Sequence, residues 1–277
     1  MLRACYQAKL IIKKINPDVI LGMGGYISLP GGLISLFYNI PLLIHEQNRV
    51  VGSSNKILSK FSTTTMQAFS KTILYAKTVG NPLRKSIINF PNPVFRLKDR
   101  IGPLRVLVLG GSQGSKILNS IFPKVIHILK NKIKLWHQVG KNNKLETLNI
   151  YKKFNTRPYK ITDFIKNIEK AYSWADIIIC RSGAITVSEI EHIGIPAIFI
   201  PFPHKDKHQY WNAYPLKLKG GAIIIEQHHL NVSKITDILQ QIDRKKIISM
   251  SKKIYLKNKT NSIENITNII ENTVKKH

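Results

Sequence analysis

The sequence is poor in cysteine, and this shortage narrows what the chain can be. Its 277 residues include two cysteines, Cys5 and Cys180, which lie far apart and form no CxxC pair. These two positions exclude a disulfide framework and a cysteine-rich metal site, and such sparse usage is typical of a reducing compartment. Hydrophobic residues make up 43% of the chain, which is enough to form a sizeable core.

Acidic residues are also scarce. Fifteen aspartates and glutamates stand against 43 lysines and arginines, giving a net charge of +28. Nucleic-acid binding, attraction to an anionic membrane and a lysine-rich composition imposed by AT-biased coding are three interpretations of this charge. The basic residues are spread along the whole chain, and no RNP1-like, zinc-finger or KH signature is present. This pattern favours composition bias first and membrane attraction second, and we expect no specific nucleic-acid partner.

An uninterrupted hydrophobic segment long enough to cross a membrane is missing. Residues 19–44 carry no charge, but five glycines and two prolines interrupt them. The positions of these glycines and prolines predict a strand, a loop, a helix and a second strand of an α/β domain instead of a membrane span. The N-terminus has neither a sustained apolar region nor a small-residue cleavage site, so we expect no signal peptide.

Apolar segments alternate between strand and helix patterns, which predicts parallel sheets wound by helices. In the first part, strands are expected at 18–23, 41–46, 63–69 and 76–80, and helices at about 2–15, 31–38 and 52–60. In the second part, strands are expected at 105–109, 133–140, 176–180, 196–201 and 222–226. Helices are expected after residue 116, at about 166–174, 184–193 and 208–219, and after 233.

Two Rossmann-like units follow from this pattern, joined by a linker at 81–103 that contains four prolines. The first unit opens on a helix, whereas a doubly wound domain usually opens on a strand. We therefore expect the first unit to be incomplete at its N-terminus.

The stretch VLGGSQGSKILN (108–119) places a glycine-rich turn between a strand and a helix. Such a turn presents backbone N–H groups to a phosphate. A dinucleotide fingerprint does not fit, because the glycine spacing differs and no acidic residue lies between Asp99 and Glu146. A P-loop does not fit either, because its lysine comes one residue late. The alternative is a turn that only packs a helix on a strand, with Ser112 as the helix N-cap.

A second such turn follows the strand that ends at Cys180. Arg181, Ser182 and Gly183 lead into a helix that begins near Ala184, and ligands bind at such strand ends in open α/β sheets. Glu189 falls within the first two turns of this helix, where it is placed to accept hydrogen bonds from ribose hydroxyls. The alternative is that its carboxylate only complements the helix dipole.

The stretch PFPHKDKHQYWNAYPL (201–216) is rich in polar side chains that suit a sugar, namely those of His204, Asp206, His208, Gln209 and Asn212. The spacing of the two histidines admits a metal, but the sequence offers no evident third ligand. It also contains no DxD motif. We therefore expect no metal and no cofactor. The alternative for this stretch is an ordinary surface loop.

Near the N-terminus, GMGGYISLPGG (22–32) is followed one strand later by HEQN (45–48). The glycines offer N–H donors to a phosphate, and His45 and Glu46 are candidates for proton transfer at the same rim of the sheet. The alternative for His45 is a buried histidine bonded to the backbone.

Taken in order, these stretches resemble the MurG family of peptidoglycan-synthesising glycosyltransferases over essentially the whole chain. The resemblance is carried by NPDVILGMGGYISLPGG, HEQN, MQAF, VGNPLR, VLVLGGSQGSKILN, ITDFI, YSWADIIICRSGAITVSE and PFPHKDKHQYWNA. It implies the GT-B fold, in which two Rossmann-like parallel-sheet domains face a cleft. Residues 1–84 would form the acceptor and membrane side, 85–261 the UDP-GlcNAc domain, and a helix at about 262–277 would pack back on the first domain.

The resemblance also implies an inverting transfer of GlcNAc from UDP-GlcNAc to lipid I, which gives lipid II. The protein would lie peripherally on the cytoplasmic face of the bacterial inner membrane, with the apolar segment 33–39 against the anionic leaflet. In the donor site it places Ser112 at the diphosphate, Ile165 against the uracil and Glu189 on the ribose. The implied donor-site residues are Asn48, Arg84, Ser112, Ile165, Ala184, Ile185, Thr186, Val187, Ser188, Glu189, Gln209 and Asn212.

One part of the family pattern is missing. A GGTGGH-like loop, whose histidine is the favoured catalytic base of the family, does not occur here. The chain resembles a member without an opening segment of about 80 residues, the segment that would supply the first strand of the first domain. The catalytic base is thus unassigned, with His45 and Glu46 as weak candidates. A relative that binds UDP-GlcNAc without turnover is the alternative function.

Overall fold

The computed structural model describes residues 1–255 and 261–276, and the chain forms two compact units. The first comprises Met1–Leu83 and Asn258–His277, and the second comprises Arg84–Lys257. Each unit contains one sheet whose strands are all parallel. This confirms the predicted fold class of two parallel-sheet α/β domains.

The first unit contains a four-stranded sheet of order β1-β2-β3-β4. Its strands are β1 (Ile20–Gly22), β2 (Leu42–Glu46), β3 (Thr64–Gln67) and β4 (Lys77–Thr78). Its helices are α1 (Leu2–Ile15), α2 (Ser28–Phe37), α3 (Ser53–Leu58) and, from the C-terminal segment, α13 (Ser262–Val274). His277, the predicted end of the last helix, lies outside the described residues.

Both faces of this first sheet are covered. Leu42 and Ile44 pack on one face with apolar residues of α2 and α3, whereas Leu43 and Met66 pack on the other face with isoleucines of α13. Successive side chains of a strand point to opposite faces, so the continuous apolar segment of β2 serves both. This explains why residues 41–46 show no alternation in the sequence.

The second unit contains a six-stranded sheet of order β10-β9-β8-β5-β6-β7. Its strands are β5 (Leu104–Leu109), β6 (Ile133–Gln138), β7 (Lys160–Thr162), β8 (Ile177–Cys180), β9 (Ala197–Phe199) and β10 (Ala222–Ile224). Its helices are α4 (Lys85–Ile88), α5 (Pro93–Leu97), α6 (Lys116–Leu129), α7 (Lys144–Lys153), α8 (Ile168–Trp174), α9 (Ala184–Ile193), α10 (His208–Leu218), α11 (Val232–Gln240) and α12 (Arg244–Ile254).

The strand order places a topological switch beside β5. The chain runs from β5 outward through β6 and β7, and then returns to build β8, β9 and β10 on the other side. Leu109, the last residue of β5, pairs with Gln138 on one side and Cys180 on the other. The loops that follow these strands consequently leave the sheet side by side, which is where open α/β sheets bind ligands.

The predicted proline-rich linker differs from the structure. Only its first three residues lie in the first unit; the rest belongs to the second unit and includes α4 and α5. Arg96 and Arg100 both donate to the Ala175 carbonyl, and Arg100 also pairs at 2.6 Å with the fully buried Asp176. These contacts fix the segment against the start of β8. The four prolines correctly indicated irregular backbone in this segment, but they could not show that the segment packs against the rest of the second unit.

Residues 19–44 form β1, α2 and the beginning of β2, as their glycine and proline punctuation predicted. None of the helices in the described residues combines the length and the apolar character needed to cross a membrane. Besides α4 and α5 in the predicted linker, α7 and β7 were not predicted, because α7 is polar and β7 is only three residues long.

Candidate functional site

The glycine-rich loop 110–115 leaves β5 at the switch and is tightly folded. Gly111 and Gly114 have φ values of 83° and 78°, and the Gly114 N–H donates to the Gly111 carbonyl at 2.9 Å. A Cβ on Gly114 would lie 2.1 Å from the Val139 carbonyl oxygen, whereas one on Gly111 would meet nothing within 4 Å. Position 114 therefore requires glycine for space as well as for φ.

Helix α6 begins only at Lys116, with Ser115 as the preceding residue. Ser112 lies three residues before Ser115, so the alternative that Ser112 is the helix N-cap is wrong. Its side chain is exposed within the loop, and its carbonyl accepts from Lys141 N at 3.1 Å. Ser112 is thus free to face a ligand.

Gln138 holds this loop from the end of β6. Its Oε1 accepts from Gly111 N at 3.0 Å, and its Nε2 donates to the carbonyls of Gly111 and Asp163 at 2.9 and 2.7 Å. One side chain therefore fixes both the glycine loop and the loop that carries Phe164 and Ile165. The sequence analysis missed this residue, although a polar side chain at the end of an apolar strand was the signal for it.

Glu189 is the central carboxylate of the site. It lies on α9, is 4% exposed, and accepts at Oε2 from the Tyr172 hydroxyl at 2.9 Å. Its Oε1 has no hydrogen-bond donor among the described residues, and the cation paired with it, Arg84 Nε, lies 3.9 Å away. Burial raises the pKa of this carboxyl, while the Tyr172 hydrogen bond and the Arg84 charge act to lower it. A buried acceptor without a donor is costly unless a ligand supplies one.

Arg181 brings a positive charge to the same place. It donates to the carbonyls of Ile200 and Pro201, to Ser115 Oγ at 3.1 Å and to Gln227 Oε1 at 2.7 Å. Burial lowers the pKa of its guanidinium. Within the described residues no carboxylate lies within 4.0 Å of it, so its charge is available to an anion. The sequence placed Arg181 at a strand end but gave it no role.

These residues line two adjacent pockets of the second unit, which share Gly111, Ser112 and Arg181. The first, of about 220 Å³, is lined by Arg84, Leu109, Gly111, Ser112, Gln138, Phe164, Ile165, Lys166, Ile168, Tyr172, Cys180, Arg181, Thr186 and Glu189. The second, of about 550 Å³, is lined by residues 110–117 together with Arg181, Phe202, Gln209 and Gln227. Two pockets along one glycine loop suit an elongated ligand with a phosphate at its middle.

The structure brings several of the predicted site residues together. The first pocket contains Arg84, Ser112, Ile165, Thr186 and Glu189, and the second contains Ser112 and Gln209. Other residues predicted on α9 do not line either pocket: these are Ala184, Ile185, Val187 and Ser188. Ala184 and Val187 point into the core, at 7% and 0% exposure.

Gln209 and Asn212 support the loop that follows β8. Gln209 Oε1 accepts from the N–H groups of Ser182 and Phe202 at 3.2 and 2.9 Å, and Asn212 Nδ2 donates to the Ser182 carbonyl at 3.3 Å. Gln209 also faces the second pocket, but Asn212 is fully buried. Here Asn212 holds Ser182 in place and does not line a pocket.

The polar residues after β2 lie in the first unit and are largely buried. His45 has no exposed surface; its Nε2 lies 2.9 Å from the Gly80 carbonyl and its Nδ1 lies 3.2 Å from Gln47 Nε2. Burial lowers its pKa, against the opposing effects of the Gly80 carbonyl and the Glu46 charge. Because both ring nitrogens are engaged, His45 is not placed to take a proton from a substrate.

Glu46 is also engaged within its own unit. Oε1 accepts from Asn48 N at 2.9 Å and Asn48 Nδ2 at 3.3 Å, and Oε2 accepts from Gly52 N at 3.0 Å and Asn55 Nδ2 at 2.9 Å. Four donors satisfy the carboxylate and shape the loop that carries Asn48. The suggestion that Glu46 acts as a base is therefore replaced by a structural role.

In the loop before α10, the side chains of His204 and His208 converge on Asp206. Each Nδ1 lies 2.7 Å from Asp206 Oδ1. Slight burial acts to raise the pKa of Asp206, but hydrogen bonds from His208 and His204 outweigh it and lower that pKa to about 2. No metal was expected here because the sequence offers no evident third ligand beside the two histidines; in the structure Asp206 lies next to both of them.

Comparison with known proteins gives matches over nearly the whole chain. Residues 1–67 match the glycosyltransferase family 28 N-terminal domain, and residues 105–270 match the C-terminal domain of the same family. Two curated relatives bear the name UDP-N-acetylglucosamine–N-acetylmuramyl-(pentapeptide) pyrophosphoryl-undecaprenol N-acetylglucosamine transferase. The relative from Buchnera aphidicola subsp. Baizongia pistaciae (strain Bp) is 61% identical over 266 residues, covering 94% of this chain and 74% of its own length.

The second relative, from Buchnera aphidicola subsp. Acyrthosiphon pisum (strain 5A), is 55% identical over 255 residues, covering 92% of this chain and 72% of its own length. Among solved structures, MurG from Acinetobacter baumannii superposes with a TM-score of 0.86 at 31% identity, over 98% of this chain and 78% of that one.

Proposed function

The chain belongs to the MurG family of glycosyltransferase family 28, and from that membership we propose that it transfers GlcNAc from UDP-GlcNAc to lipid I, giving lipid II. The reaction forms a bond between the acceptor C4 hydroxyl and the anomeric carbon of GlcNAc, with inversion, and releases UDP. It is a step of peptidoglycan synthesis.

The nucleoside occupies the first pocket. Glu189 is the observation that supports this most directly, because its Oε1 is buried, faces the pocket and has no donor among the described residues. A ribose hydroxyl supplies that donor, and Ile165 from the same pocket packs against the uracil. Tyr172 holds the other carboxylate oxygen, so the ribose meets Oε1 in a fixed orientation.

The diphosphate lies along loop 110–115, between the two pockets. Backbone N–H groups of the loop, the N-terminus of α6 and the guanidinium of Arg181 surround that position with positive charge. Negative charge develops on UDP as its bond to GlcNAc breaks, and preorganised donors of this kind stabilise it. The GlcNAc then extends into the second pocket toward Gln209, while Asn212 supports Gln209 by fixing Ser182.

The first unit takes the acceptor. Glu46 holds Asn48 through two hydrogen bonds, and lipid I binds on this unit. The protein lies peripherally on the cytoplasmic face of the inner membrane, attracted to anionic lipid by its net charge of +28. Phe37 of α2 is 82% exposed and is available for apolar contact with lipid. Neither His45 nor Glu46 is assigned as the base.

The test is formation of lipid II from labelled UDP-GlcNAc and a lipid I analogue, run beside calorimetric titration with UDP-GlcNAc. We expect labelled product and saturable binding, and Glu189→Ala weakens both. Binding without product would contradict the transfer and support the binding-only alternative. Product that forms without lipid I, or from a different acceptor, would identify another glycosyltransferase.

A further inference from the structure

The loop between β9 and α10 gathers three metal-binding side chains outside the contacts assigned above. His204 and His208 each approach Asp206 Oδ1 to 2.7 Å through Nδ1, and their ring centroids lie 5.0 Å apart. Ligand atoms of all three residues lie within 4.8 Å of one another. Two imidazole nitrogens and one carboxylate oxygen therefore lie close enough together to bind one metal ion.

The backbone of the loop holds this arrangement. Lys207 N donates to the His204 carbonyl at 3.0 Å, and Lys207 adopts a left-handed φ of 51° before α10 begins at His208. His208 N also donates to Asp206 Oδ1 at 3.1 Å. The three side chains consequently reach the same side of the turn, although they are two residues apart in the sequence.

We propose that His204, Asp206 and His208 form a binding site for Zn²⁺, with water as the remaining ligand. Two imidazoles and a carboxylate are a donor set that Zn²⁺ accepts, at about 2.0–2.2 Å from each ligand atom. In a tetrahedral site with these bond lengths, ligand atoms lie about 3.3–3.5 Å apart, so the two 2.7 Å contacts must open by about 0.6–0.8 Å.

That rearrangement is small for side chains as accessible as these. The side chains of His204, Asp206 and His208 are 52%, 47% and 29% exposed. In each imidazole the proton that Nδ1 shares with Asp206 moves to Nε2, so that Nδ1 binds the metal through its lone pair.

The surroundings favour a specific site over general cation attraction. The chain carries a net charge of +28, which repels cations held only by diffuse electrostatics. Lys207, which lies between Asp206 and His208, pairs with Glu226 Oε2 at 3.0 Å, so its charge is compensated. Binding of a divalent cation here has to come from direct ligation.

The experiment is calorimetric titration of the full chain with Zn²⁺ alone, in a buffer that does not chelate zinc and without nucleotide. We expect one equivalent of Zn²⁺ to bind. His204→Gln and His208→Gln each weaken the affinity by more than about tenfold, since even partners of metal ligands typically contribute 10–100-fold.

The matched control is His229→Gln, which alters an exposed histidine whose ring centroid lies 3.9 Å from that of His228 and which has no place in the cluster. It leaves Zn²⁺ affinity unchanged. Titration with Co²⁺ adds a second readout, a visible absorption band of a tetrahedral site that disappears in His204→Gln. Failure to bind Zn²⁺, or equal affinity in all three variants, would overturn the proposal. Neither result bears on UDP-GlcNAc binding, which is measured separately.

Discussion

Tyr172 determines which oxygen of Glu189 faces the first pocket. Its hydroxyl donates to Oε2 at 2.9 Å and leaves Oε1 without a donor among the described residues. In Tyr172→Phe the carboxylate loses this hydrogen bond and its fixed orientation. Hydrogen bonds to charged groups contribute about 1.5–3 kcal/mol, so we expect UDP to bind at least about tenfold more weakly, measured by calorimetry.

Tyr151→Phe is the control for this change. Tyr151 is equally buried and its hydroxyl lies 2.9 Å from His137 Nδ1, away from both pockets. The substitution Tyr151→Phe also removes one buried hydroxyl, and we expect its affinity for UDP to equal that of the parent chain. Equal losses of affinity in the two variants would show that Tyr172 acts through general stability and not through Glu189.

The ionisation of Glu189 gives a pH dependence of donor binding. Burial raises the pKa of this carboxyl above its ordinary value. With Oε2 bonded to Tyr172, protonation of the carboxyl puts a hydrogen on the oxygen that accepts from the ribose, so affinity for UDP-GlcNAc is highest above this raised pKa and falls as the pH drops through it. UDP-GlcNAc suits the measurement because its diphosphate diester keeps its charge over this range. Calorimetry at several pH values should show the fall, and Glu189→Gln should abolish it. A similar fall in that variant would assign the titration to another group.

The sequence predicted single site residues better than it predicted their partners. Glu189 and Ser112 were recognisable because each follows a strand and a turn within one continuous stretch. Tyr172 and Gln138 were not, since their roles depend on contacts with residues 17 and 27 positions away. Asn212 shows the same limit: its polar side chain suggested a sugar contact, and nothing in the sequence indicated that Nδ2 donates to the Ser182 carbonyl 30 positions away.

At the scale of elements, the glycine loop depends on close packing against the end of β6. Gly114→Ala places a Cβ 2.1 Å from the Val139 carbonyl oxygen at a φ of 78°, whereas Gly111→Ala has a similar φ of 83° and open space. Both substitutions strain the backbone, but only the first adds a clash with backbone atoms. We expect Gly114→Ala to lower the free energy of unfolding by about 2 kcal/mol more than Gly111→Ala. Urea denaturation of both variants measures this difference; equal losses would contradict it.

The loop after β2 depends on a single carboxylate. Glu46 is 2% exposed and accepts four hydrogen bonds from N–H donors. Glu46→Gln turns one acceptor into a donor that faces other donors, at a cost of about 2 kcal/mol. We expect faster hydrogen exchange at the Asn48 and Gly52 amides. The control is Glu271→Gln, on the exposed face of α13, which should leave the exchange rates of these amides unchanged. Unchanged exchange rates in Glu46→Gln would show that other contacts hold the loop.

The order of elements was predictable because apolar segments set the period of each strand and helix. The sequence pattern predicted β2, β5, β8 and α9 within a few residues of their observed bounds. Helix α2 starts earlier than predicted, at Ser28, because Pro30 falls in its first turn, where no N–H is required. From the sequence alone, a proline suggests the end of a helix, and the sequence does not show whether the proline instead lies in the first turn of the next helix.

At the scale of the whole molecule, the charge of +28 attracts any polyanion. DNA and anionic vesicles should both bind at low salt and both be released as salt rises, because screening acts on exposed charges alike. Release from DNA alone therefore says nothing about function. A membrane-binding surface also makes apolar contacts with lipid. Salt does not screen this apolar part of the binding free energy, so it separates membrane binding from attraction by diffuse charge.

Phe37 and Phe95 allow that contribution to be measured. They are 82% and 77% exposed, and they lie in the first and second units respectively. We expect Phe37→Ser to reduce the binding to phosphatidylglycerol vesicles that persists at high salt, whereas Phe95→Ser does not, because only the first phenylalanine enters the interface. Vesicle co-sedimentation over a salt series gives both quantities, the electrostatic slope and the residual binding. If all variants show the same salt dependence but Phe37→Ser retains less binding at high salt, the membrane contact lies on the first unit. If the binding that remains at high salt is equal in both variants, charge is the sole attraction and the proposed role of α2 is contradicted.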